Sequence, residues 1–321
     1  MHLPDGILDT KTALLATGAA AAGVGIALRQ VRNTLEPRQM PMLGLAAAFV
    51  FAAQMINFPI PGATSGHVVG GVLTAVLLGP SAAVLVITCV LIVQCLMFSD
   101  GGLVALGANV FNMGIVSVCC GYFVFRLARL LIRSGGNRAT VFAAAFAGWF
   151  GTVLASISCA GQLALSGAIP WSRAFPAMAL VHMLIGIGEG LATGLIIMAV
   201  LRSRPDLVVG ARREGVGSKA GFVGYGLVIS AGLALFVAPF ACKWPDGLEK
   251  VAAVFGISSS TAPAINAPLA DYHLPHVSSP AVATALAGLI GTLLAFIAAY
   301  VLARVLVPVL GTAKKDASSG N

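Results

Sequence analysis

Three nitrogen atoms at the start of the chain could bind one metal ion. Met1 offers its α-amine, and His2 offers its backbone nitrogen together with the Nδ1 atom of its imidazole. These nitrogens close small chelate rings that carry little strain. An amide nitrogen binds a metal only after it loses its proton, and Ni(II) and Cu(II), which favour square-planar nitrogen sites, are the ions that drive this loss. The residue types therefore predict a planar nitrogen site with one corner still to be filled.

The chelate depends on a free first residue. The start MHLPDG lacks the basic region and the apolar stretch of a signal peptide, so we expect Met1 to be retained. Because the amine and the amide must both release a proton to bind metal, we expect the affinity to fall at acid pH.

His67 is the candidate for the fourth nitrogen. It lies in FPIPGATSGHVVGG, residues 58–71, where prolines and glycines interrupt the helical pattern and let the backbone approach another segment closely. An ionisable side chain at membrane depth is a functional candidate in its own right. His67 could instead be a hydrogen-bonded structural residue, and His2 alone could be a surface residue. Their joint occurrence in helix-breaking segments favours the metal site.

The composition indicates a protein that spans the membrane several times. Of the 321 residues, 58% are hydrophobic and only 9% are charged, and the mean hydropathy is +0.96. A soluble domain carries about 25% charged residues, so this chain lacks the polar surface that a soluble protein needs. The net charge of +8 could suggest nucleic-acid binding. The basic residues lie at the ends of apolar segments, however, where they act as topology signals, so we expect a lipid bilayer and no nucleic acid as partner.

The predicted fold class is an all-α polytopic membrane protein. Most of its apolar stretches are long enough to cross about 30 Å of hydrocarbon. They predict a bundle of about seven helices, then a C-terminal unit of two helices around a long external loop, residues 242–280. The stretch 67–79 is short and rich in glycine, which favours a tilted or partly re-entrant helix. The nine stretches lie near residues 12–28, 41–56, 67–79, 81–98, 104–125, 140–165, 175–200, 221–241 and 281–303.

Charged segments predict the boundaries and the orientation. We predict a metal-binding membrane unit over residues 1–203, a cytoplasmic linker over 204–220, a two-helix domain over 221–310 and a polar cytoplasmic tail over 311–321. With the N-terminus outside, 15 of the 19 basic residues lie inside, and those left outside are Lys11, Arg173, Lys243 and Lys250. This bias predicts an external N-terminus and a cytoplasmic C-terminus in the cell membrane.

The external loop contains one local motif, WPDGLEKVA. Its residues 245–247 predict a turn, and residues 248–255 predict a short amphipathic helix that begins near Asp246 and Glu249. Three further loop residues carry metal-binding side-chain types but are expected to be solvated, namely Asp271, His273 and His276.

The same segments are similar to a known family. MHLPDG followed by PIPGATSGHVVGG resembles the CbiM/NikM family, the substrate-binding membrane units of energy-coupling factor (ECF) transporters for cobalt and nickel. The resemblance continues through FSDGGLVALGANVFNMG, residues 98–114, and HMLIGIGEGLATG, residues 182–194, and so extends over residues 1–205. PFACKWPDGLEKVA with APLADYHLP, residues 267–275, resembles the small CbiN/NikN partner and its PDGLE motif. The whole chain thus resembles a fused NikMN-type subunit.

The resemblance implies a ligand set and its surroundings. It implies that the N-terminus enters the helical bundle from outside, and that Met1, His2 and His67 hold the metal. It also implies that polar groups around these ligands orient them, as metal sites generally require. The candidates for these surrounding positions are Thr64, Ser65, Asn109, Asn112, His182 and Glu189.

The predicted function is capture of Ni²⁺ as the substrate-binding subunit of an ECF-type ABC transporter. The chain has neither a GxxxxGK[ST] loop for ATP nor the HExxH of a zinc protease, so we expect no enzymatic activity, no catalytic residue and no catalytic cofactor. The resemblance implies that a transmembrane coupling (T) subunit and cytosolic ATPase (A) subunits supply the energy. The planar nitrogen set favours nickel, and the resemblance implies the same, because family members with PDG after the Met-His pair look more like nickel proteins. The open alternatives are the same role for Co²⁺ and an autonomous metal permease that needs no ATPase.

Overall fold

The computed structural model describes residues 1–132, 136–208, 219–257 and 264–306. Two short strands, β1 (Phe58–Ile60) and β2 (Thr64–Gly66), form an antiparallel hairpin. In chain order the helices are α1 (Thr10–Thr34), α2 (Met40–Gln54), α3 (Gly71–Leu78), α4 (Pro80–Phe98), α5 (Leu106–Leu131), α6 (Asn137–Leu165), α7 (Trp171–Ser203), α8 (Lys219–Gly232), α9 (Gly247–Val254) and α10 (Pro280–Leu306). Helix α8 continues through a π-helical segment, Leu233–Val237, and a 3-10 turn, Ala238–Phe240.

Seven helices in the described part of the chain are long and apolar enough to cross a membrane. They are α1, α4, α5, α6, α7, α8 with its continuation to Phe240, and α10, whereas α2 is apolar but shorter. The predicted all-α polytopic class is confirmed.

The stretch 67–79 contains less helix than its apolar residues suggest. After the hairpin, residues 67–70 have no regular secondary structure, and α3 begins only at Gly71. Gly70 (φ 75°) and Gly79 (φ 86°) bound this helix in backbone conformations that favour glycine. Eight residues rise only about 12 Å, so α3 is too short to cross the bilayer and lies buried among the longer helices.

Small residues allow the helices to approach closely. A Cβ atom added at Gly190 of α7 would collide with the carbonyl oxygen of Ala145 on α6, and one added at Gly291 of α10 would collide with the ring of Phe51 on α2. Such contacts are typical of helices that pack in lipid. The second contact also joins the C-terminal part of the chain directly to the N-terminal bundle.

Helix α5 changes its hydrogen-bonding pattern immediately after Asn109. Its first turn, Leu106–Asn109, is α-helical, Val110–Cys120 forms a π-helix, and Gly121–Leu131 is α-helical again. Segments of π-helix occur frequently at functional sites. Here the change follows the residue that contacts the N-terminal segment.

The predicted linker and C-terminal tail fall mainly outside the described residues. Of the linker predicted over 204–220, the structure describes residues 204–208, which include the 3-10 turn Pro205–Leu207, and the start of α8. The tail predicted over 311–321 lies outside the described residues. These boundaries stay predictions.

Candidate metal centre

The N-terminal segment is buried inside the helical bundle. Met1 is 4% exposed and Leu3 is 0% exposed. Asn109 holds the segment with both ends of its side-chain amide: its Oδ1 accepts from the backbone N–H of Leu3 at 2.8 Å, and its Nδ2 donates to the carbonyl of Leu3 at 3.1 Å. The N–H of Gly102 donates to the same carbonyl at 2.8 Å. Leu3 is thus fixed from two sides, and the first two residues extend into the site.

Asp5 anchors the turn that follows. Its carboxylate accepts from the backbone N–H groups of Leu103, Val104 and Ala105 at 3.1, 2.8 and 3.3 Å. These N–H groups lie in the turn that leads into α5, near the positive end of the helix dipole, which favours a negative charge.

The α-amine of Met1 lies 3.0 Å from Nε2 of His67. Two metal–nitrogen bonds of about 2.0–2.1 Å, the length seen for zinc, place adjacent corners of a square about 2.9 Å apart. The imidazoles of His2 and His67 are stacked, with ring centroids 5.2 Å apart and ring planes inclined by 17°. The structure therefore brings together the three residues predicted to bind metal, across 66 residues of sequence.

The tautomer of His67 suits metal binding. Its Nδ1 lies 3.2 Å from the carbonyl oxygen of Val68, to which an N–H at that position donates. Nε2 then keeps its lone pair. Burial, the positive charge of the Met1 amine and the neighbouring His2 lower the pKa of His67 to about 3. The ring is therefore neutral near pH 7, which is the form that binds metals.

His2 is not arranged as a chelator in this structure. Its Nδ1, the atom that the chelate requires, lies 3.1 Å from Oδ1 of Asp100. Its Nε2 is buried and has no hydrogen-bond partner among the described residues. Burial lowers the pKa of His2, while the carboxylate of Asp100 opposes this shift. Chelation would require His2 to leave Asp100.

The PDGLE segment docks on the hairpin beside His67. The backbone N–H of Ser65 donates to the carbonyl of Pro245 at 2.8 Å, and its hydroxyl donates to the carbonyl of Trp244 at 2.7 Å. The hydroxyl of Thr64 donates to the carbonyl of Pro245 at 2.9 Å. Ser65 and Asp246 also form an isolated parallel bridge. Thr64 and Ser65, predicted to surround the metal, therefore form hydrogen bonds with the PDGLE segment beside His67.

Asp246 contacts the N-terminal amine. The amine of Met1 donates to Oδ2 of Asp246 at 2.5 Å. Asp246 also starts α9, because its Oδ1 accepts from the N–H of Glu249 while the Glu249 carboxylate accepts from the N–H of Asp246, both at 2.9 Å. Burial raises the pKa of Asp246, but the positive charge of the amine and His67 outweigh it and hold that pKa well below its ordinary range.

Asp246 has two roles, and only one of them could be predicted from the sequence. The predicted helix start at Asp246 and Glu249 is confirmed. The contact with the amine was missed, because capping a helix was already a sufficient local explanation for Asp246.

Glu189, His182 and Asn112 were also predicted to surround the metal, and each makes different contacts. Glu189 accepts from the backbone N–H groups of Val69 at 2.5 Å and Gly70 at 3.1 Å, and so fixes the segment that follows His67. His182 donates from Nδ1 to the carbonyl of Met178 in its own helix, and His182 lines a small cavity that Met1 and His67 also line.

Asn112 does not reach the site. It bonds to Gln162 at 2.8 and 2.9 Å and accepts from the hydroxyl of Ser158 at 2.7 Å. Its position on α5, three residues after Asn109, turns it toward α6 instead of the N-terminal segment. Asn112 therefore joins two helices.

A polar cavity of about 610 Å³ opens beside the site. It is lined by His2 and His67 on one side and by side chains of the C-terminal part on the other. Asp271 and His273 line it and are exposed, and His276 is exposed in the same loop. The acidic residues along its wall are Asp100, Asp246, Glu249 and Asp271. A cation could reach the imidazoles through this cavity.

Within the described residues, no group of three or more His, Cys, Asp or Glu side chains could hold a metal ion. The candidate site is of a different kind, because two of its four nitrogens belong to the backbone at Met1 and His2.

Known proteins with this sequence pattern are metal transporters. The family model described as the cobalt uptake substrate-specific transmembrane region matches residues 2–207, and the PDGLE domain model matches residues 220–307. The fused nickel transport protein NikMN of Rhodobacter capsulatus is 32% identical over 330 residues, which cover 92% of this chain and 94% of the relative. A fused NikMN-type protein of Archaeoglobus fulgidus is 36% identical over 296 residues, which cover 92% of this chain and 95% of the relative.

A solved structure supports the same assignment. The crystal structure of a truncated transition metal transporter is 32% identical, covers 63% of this chain and 99% of its own, and superposes with a TM-score of 0.58. The N-terminal family model alone spans more than half of the chain. The chain therefore belongs to the CbiM/NikMN family of nickel and cobalt transport membrane proteins, here joined to a PDGLE domain.

Proposed function

We propose that this protein captures Ni²⁺ at the external face of the cell membrane, as the substrate-binding subunit of an ECF-type ABC transporter. The observation that supports this most directly is the 3.0 Å distance between the amine of Met1 and Nε2 of His67 in a buried position. The remaining ligands are the backbone nitrogen and Nδ1 of His2. Ni²⁺ is the cargo of the protein.

Binding of the ion exchanges protein contacts for metal bonds. The amine of Met1 leaves Asp246 and loses a proton, and the backbone nitrogen of His2 loses its proton. The imidazole of His2 leaves Asp100, and its proton moves from Nδ1 to Nε2 so that Nδ1 can bind the ion. The backbone of the site stays in place, because Asn109 holds Leu3 on one side. On the other side Glu189 holds the segment after His67.

Nickel is favoured over cobalt by the ligand set. Four nitrogens in a plane, one of them a deprotonated amide, suit Ni(II). The same role for Co²⁺ is the alternative, and the description of the matching family model as cobalt uptake favours it. Competition between the two ions for the purified protein distinguishes them: the proposal expects Ni²⁺ to displace Co²⁺ at equal concentrations.

Energy for transport comes from partner subunits in this proposal. A transmembrane T subunit and cytosolic A subunits hydrolyse ATP, and the N-terminus of this chain faces outside with its C-terminus inside. An autonomous metal permease is the second candidate. Uptake of Ni²⁺ into proteoliposomes with and without the T and A subunits separates them, because a permease would transport without either partner.

Adding one residue before Met1 tests the site itself. The added residue moves the amine away from His67, so the first chelate ring cannot form at the same place. We expect the nickel content of the purified protein to fall from one ion per chain to near zero, and His67→Ala to have the same effect. Mass spectrometry of the intact chain must first establish that Met1 is retained, because the chelate requires it.

A matched control comes from the external loop. His276 is exposed, so His276→Ala removes an imidazole without touching the site and should leave nickel binding intact. Full nickel occupancy in the extended variant would overturn the proposed ligand set.

A further inference from the structure

The carboxylate of Asp100 contacts the His2 atom that chelation requires, and it also accepts a hydrogen bond from a second residue. Oδ1 of Asp100 lies 3.1 Å from Nδ1 of His2, and Oδ2 of the same residue accepts from the hydroxyl of Tyr272 at 2.5 Å. Tyr272 lies in the C-terminal part of the chain, 172 residues from Asp100. The carboxylate of Asp100 thus connects a proposed metal ligand with the C-terminal part of the chain.

Packing and backbone conformation place the Tyr272 hydroxyl at this point. Its ring stacks on Phe98 with centroids 4.7 Å apart and an interplanar angle of 20°. Asp271 (φ 53°) and Tyr272 (φ 57°) both adopt left-handed backbone conformations, which are uncommon outside glycine. The N–H of Leu269 anchors the segment by donating to the carbonyl of Met97 at 2.9 Å. The loop is therefore bent and fixed so that its tyrosine faces Asp100.

We propose that Tyr272 is a positioning residue for metal loading, which holds Asp100 and thereby makes it easier for the His2 Nδ1 atom to be released. This inference rests on the proposed function. Before loading, Asp100 accepts from both His2 and Tyr272. After loading, His2 has turned to the metal, and the Tyr272 hydroxyl remains as the donor to a carboxylate whose side chain is 25% exposed.

The loss of the hydroxyl therefore has unequal effects on the two states. In metal-free Tyr272→Phe, Asp100 loses the tyrosine hydroxyl but keeps His2 as a donor. In the metal-loaded variant His2 has already left, so Asp100 loses the one donor of this pair that remained. A hydrogen bond to a charged group contributes more than a neutral one, so we expect the dissociation constant for Ni²⁺ to rise about tenfold. The phenyl ring keeps the stacking on Phe98.

A double-mutant cycle with Asp100→Asn separates this role from general packing. Without the carboxylate charge, the hydroxyl of Tyr272 has little differential effect, so Tyr272→Phe should change the dissociation constant less than about twofold in that background. A packing role predicts the same loss in both backgrounds. Tyr225→Phe is the matched control, since Tyr225 is 76% exposed on α8.

The measurement is equilibrium binding of Ni²⁺ to the full chain in detergent, followed by the absorption band of planar Ni(II). Thermal unfolding of each variant establishes that it folds. As a second readout, nitrogen NMR of the metal-free protein should show a stronger hydrogen bond at Nδ1 of His2 in Tyr272→Phe, because one competing donor is gone. A purely structural role would weaken that bond instead.

The possible results separate the two proposals. Equal losses in both backgrounds, or no loss in Tyr272→Phe, would overturn the role of Tyr272 while leaving nickel capture standing, provided that His67→Ala abolishes binding. Full nickel binding in His67→Ala would overturn the proposed function, and the role of Tyr272 with it.

Discussion

Glu189 offers a direct test of how the bundle positions His67. Both oxygens of this buried carboxylate accept backbone N–H groups, from Val69 at 2.5 Å and from Gly70 at 3.1 Å. Glu189→Gln keeps the size of the side chain but leaves one accepting oxygen. The new NH₂ group then faces an N–H group, and two donors cannot bond to each other.

The expected loss follows from these two contacts. A hydrogen bond to a charged group contributes about 1.5–3 kcal/mol, so the pair contributes about 3–6 kcal/mol. The glutamine oxygen keeps one neutral bond of about 1 kcal/mol. The net loss is therefore roughly 2–5 kcal/mol. Because the affected N–H groups follow His67 immediately, part of this loss should appear as weaker binding of Ni²⁺.

Two assays measure the two parts of the effect. Thermal unfolding of the purified, metal-free variant should occur several degrees below that of the unaltered protein. Equilibrium binding should show an affinity for Ni²⁺ at least tenfold lower. Glu249→Gln is the matched control: Gln closes a capping box as Glu does, so its free energy of unfolding should change by less than about 0.5 kcal/mol.

A Glu189→Gln variant with unchanged unfolding temperature and unchanged nickel affinity would refute this reasoning. It would mean that the N–H groups of Val69 and Gly70 find equivalent partners without the carboxylate. A loss of stability with full nickel affinity would show that His67 is positioned by other contacts.

Two further predictions compare asparagines of α5. Asn109→Leu removes both hydrogen bonds between the Asn109 side chain and Leu3. Nickel affinity, measured by isothermal titration, should fall at least tenfold, as for residues that orient metal ligands. Unchanged affinity would show that Asn109 does not position the N-terminal segment. Asn112→Ala leaves Gln162 without its side-chain partner and should cost about 1–3 kcal/mol of stability. Its nickel affinity should stay within about threefold, because it has no contact with the N-terminal segment; a much larger drop would place Asn112 in the site.

The membrane class, and the proximity of the Met1 amine to His67, could be predicted from residue types. The chemistry of a Met-His start needs a fourth nitrogen, and His67 was the histidine in a segment that permits close backbone approach. The structure places the Met1 amine and His67 together. Hydropathy over windows as long as a span predicted the long helices, because burial in lipid imposes that length.

The carboxylates around the site could not be predicted in the same way. Asp246 is 245 residues from Met1, and Asp100 is 172 residues from Tyr272. Asp246 also had a sufficient local interpretation as a helix-start residue, and Asp100 lay in the stretch 98–114, which was used only for the family resemblance. Contacts over such separations depend on how the C-terminal helices pack on the bundle, which no local pattern encodes.

The short, buried helix expected within residues 67–79 is present, but its first residue could not be predicted. Residues 67–79 are as apolar as a helix core, but two glycines with positive φ restrict the helix to Gly71–Leu78. Periodicity over so few residues cannot separate an extended buried segment from a helix.

The contact of Asp246 with the Met1 amine has a thermodynamic consequence. In the proposed function the amine that contacts Asp246 is also the first ligand of the ion. Docking of the turn at 245–247 and occupancy by metal are then linked, and such linkage is reciprocal. Whatever factor the docked turn imposes on the affinity for the ion, the ion imposes on the docking of the turn. A spectroscopic label on the turn would therefore report metal occupancy without contacting the metal.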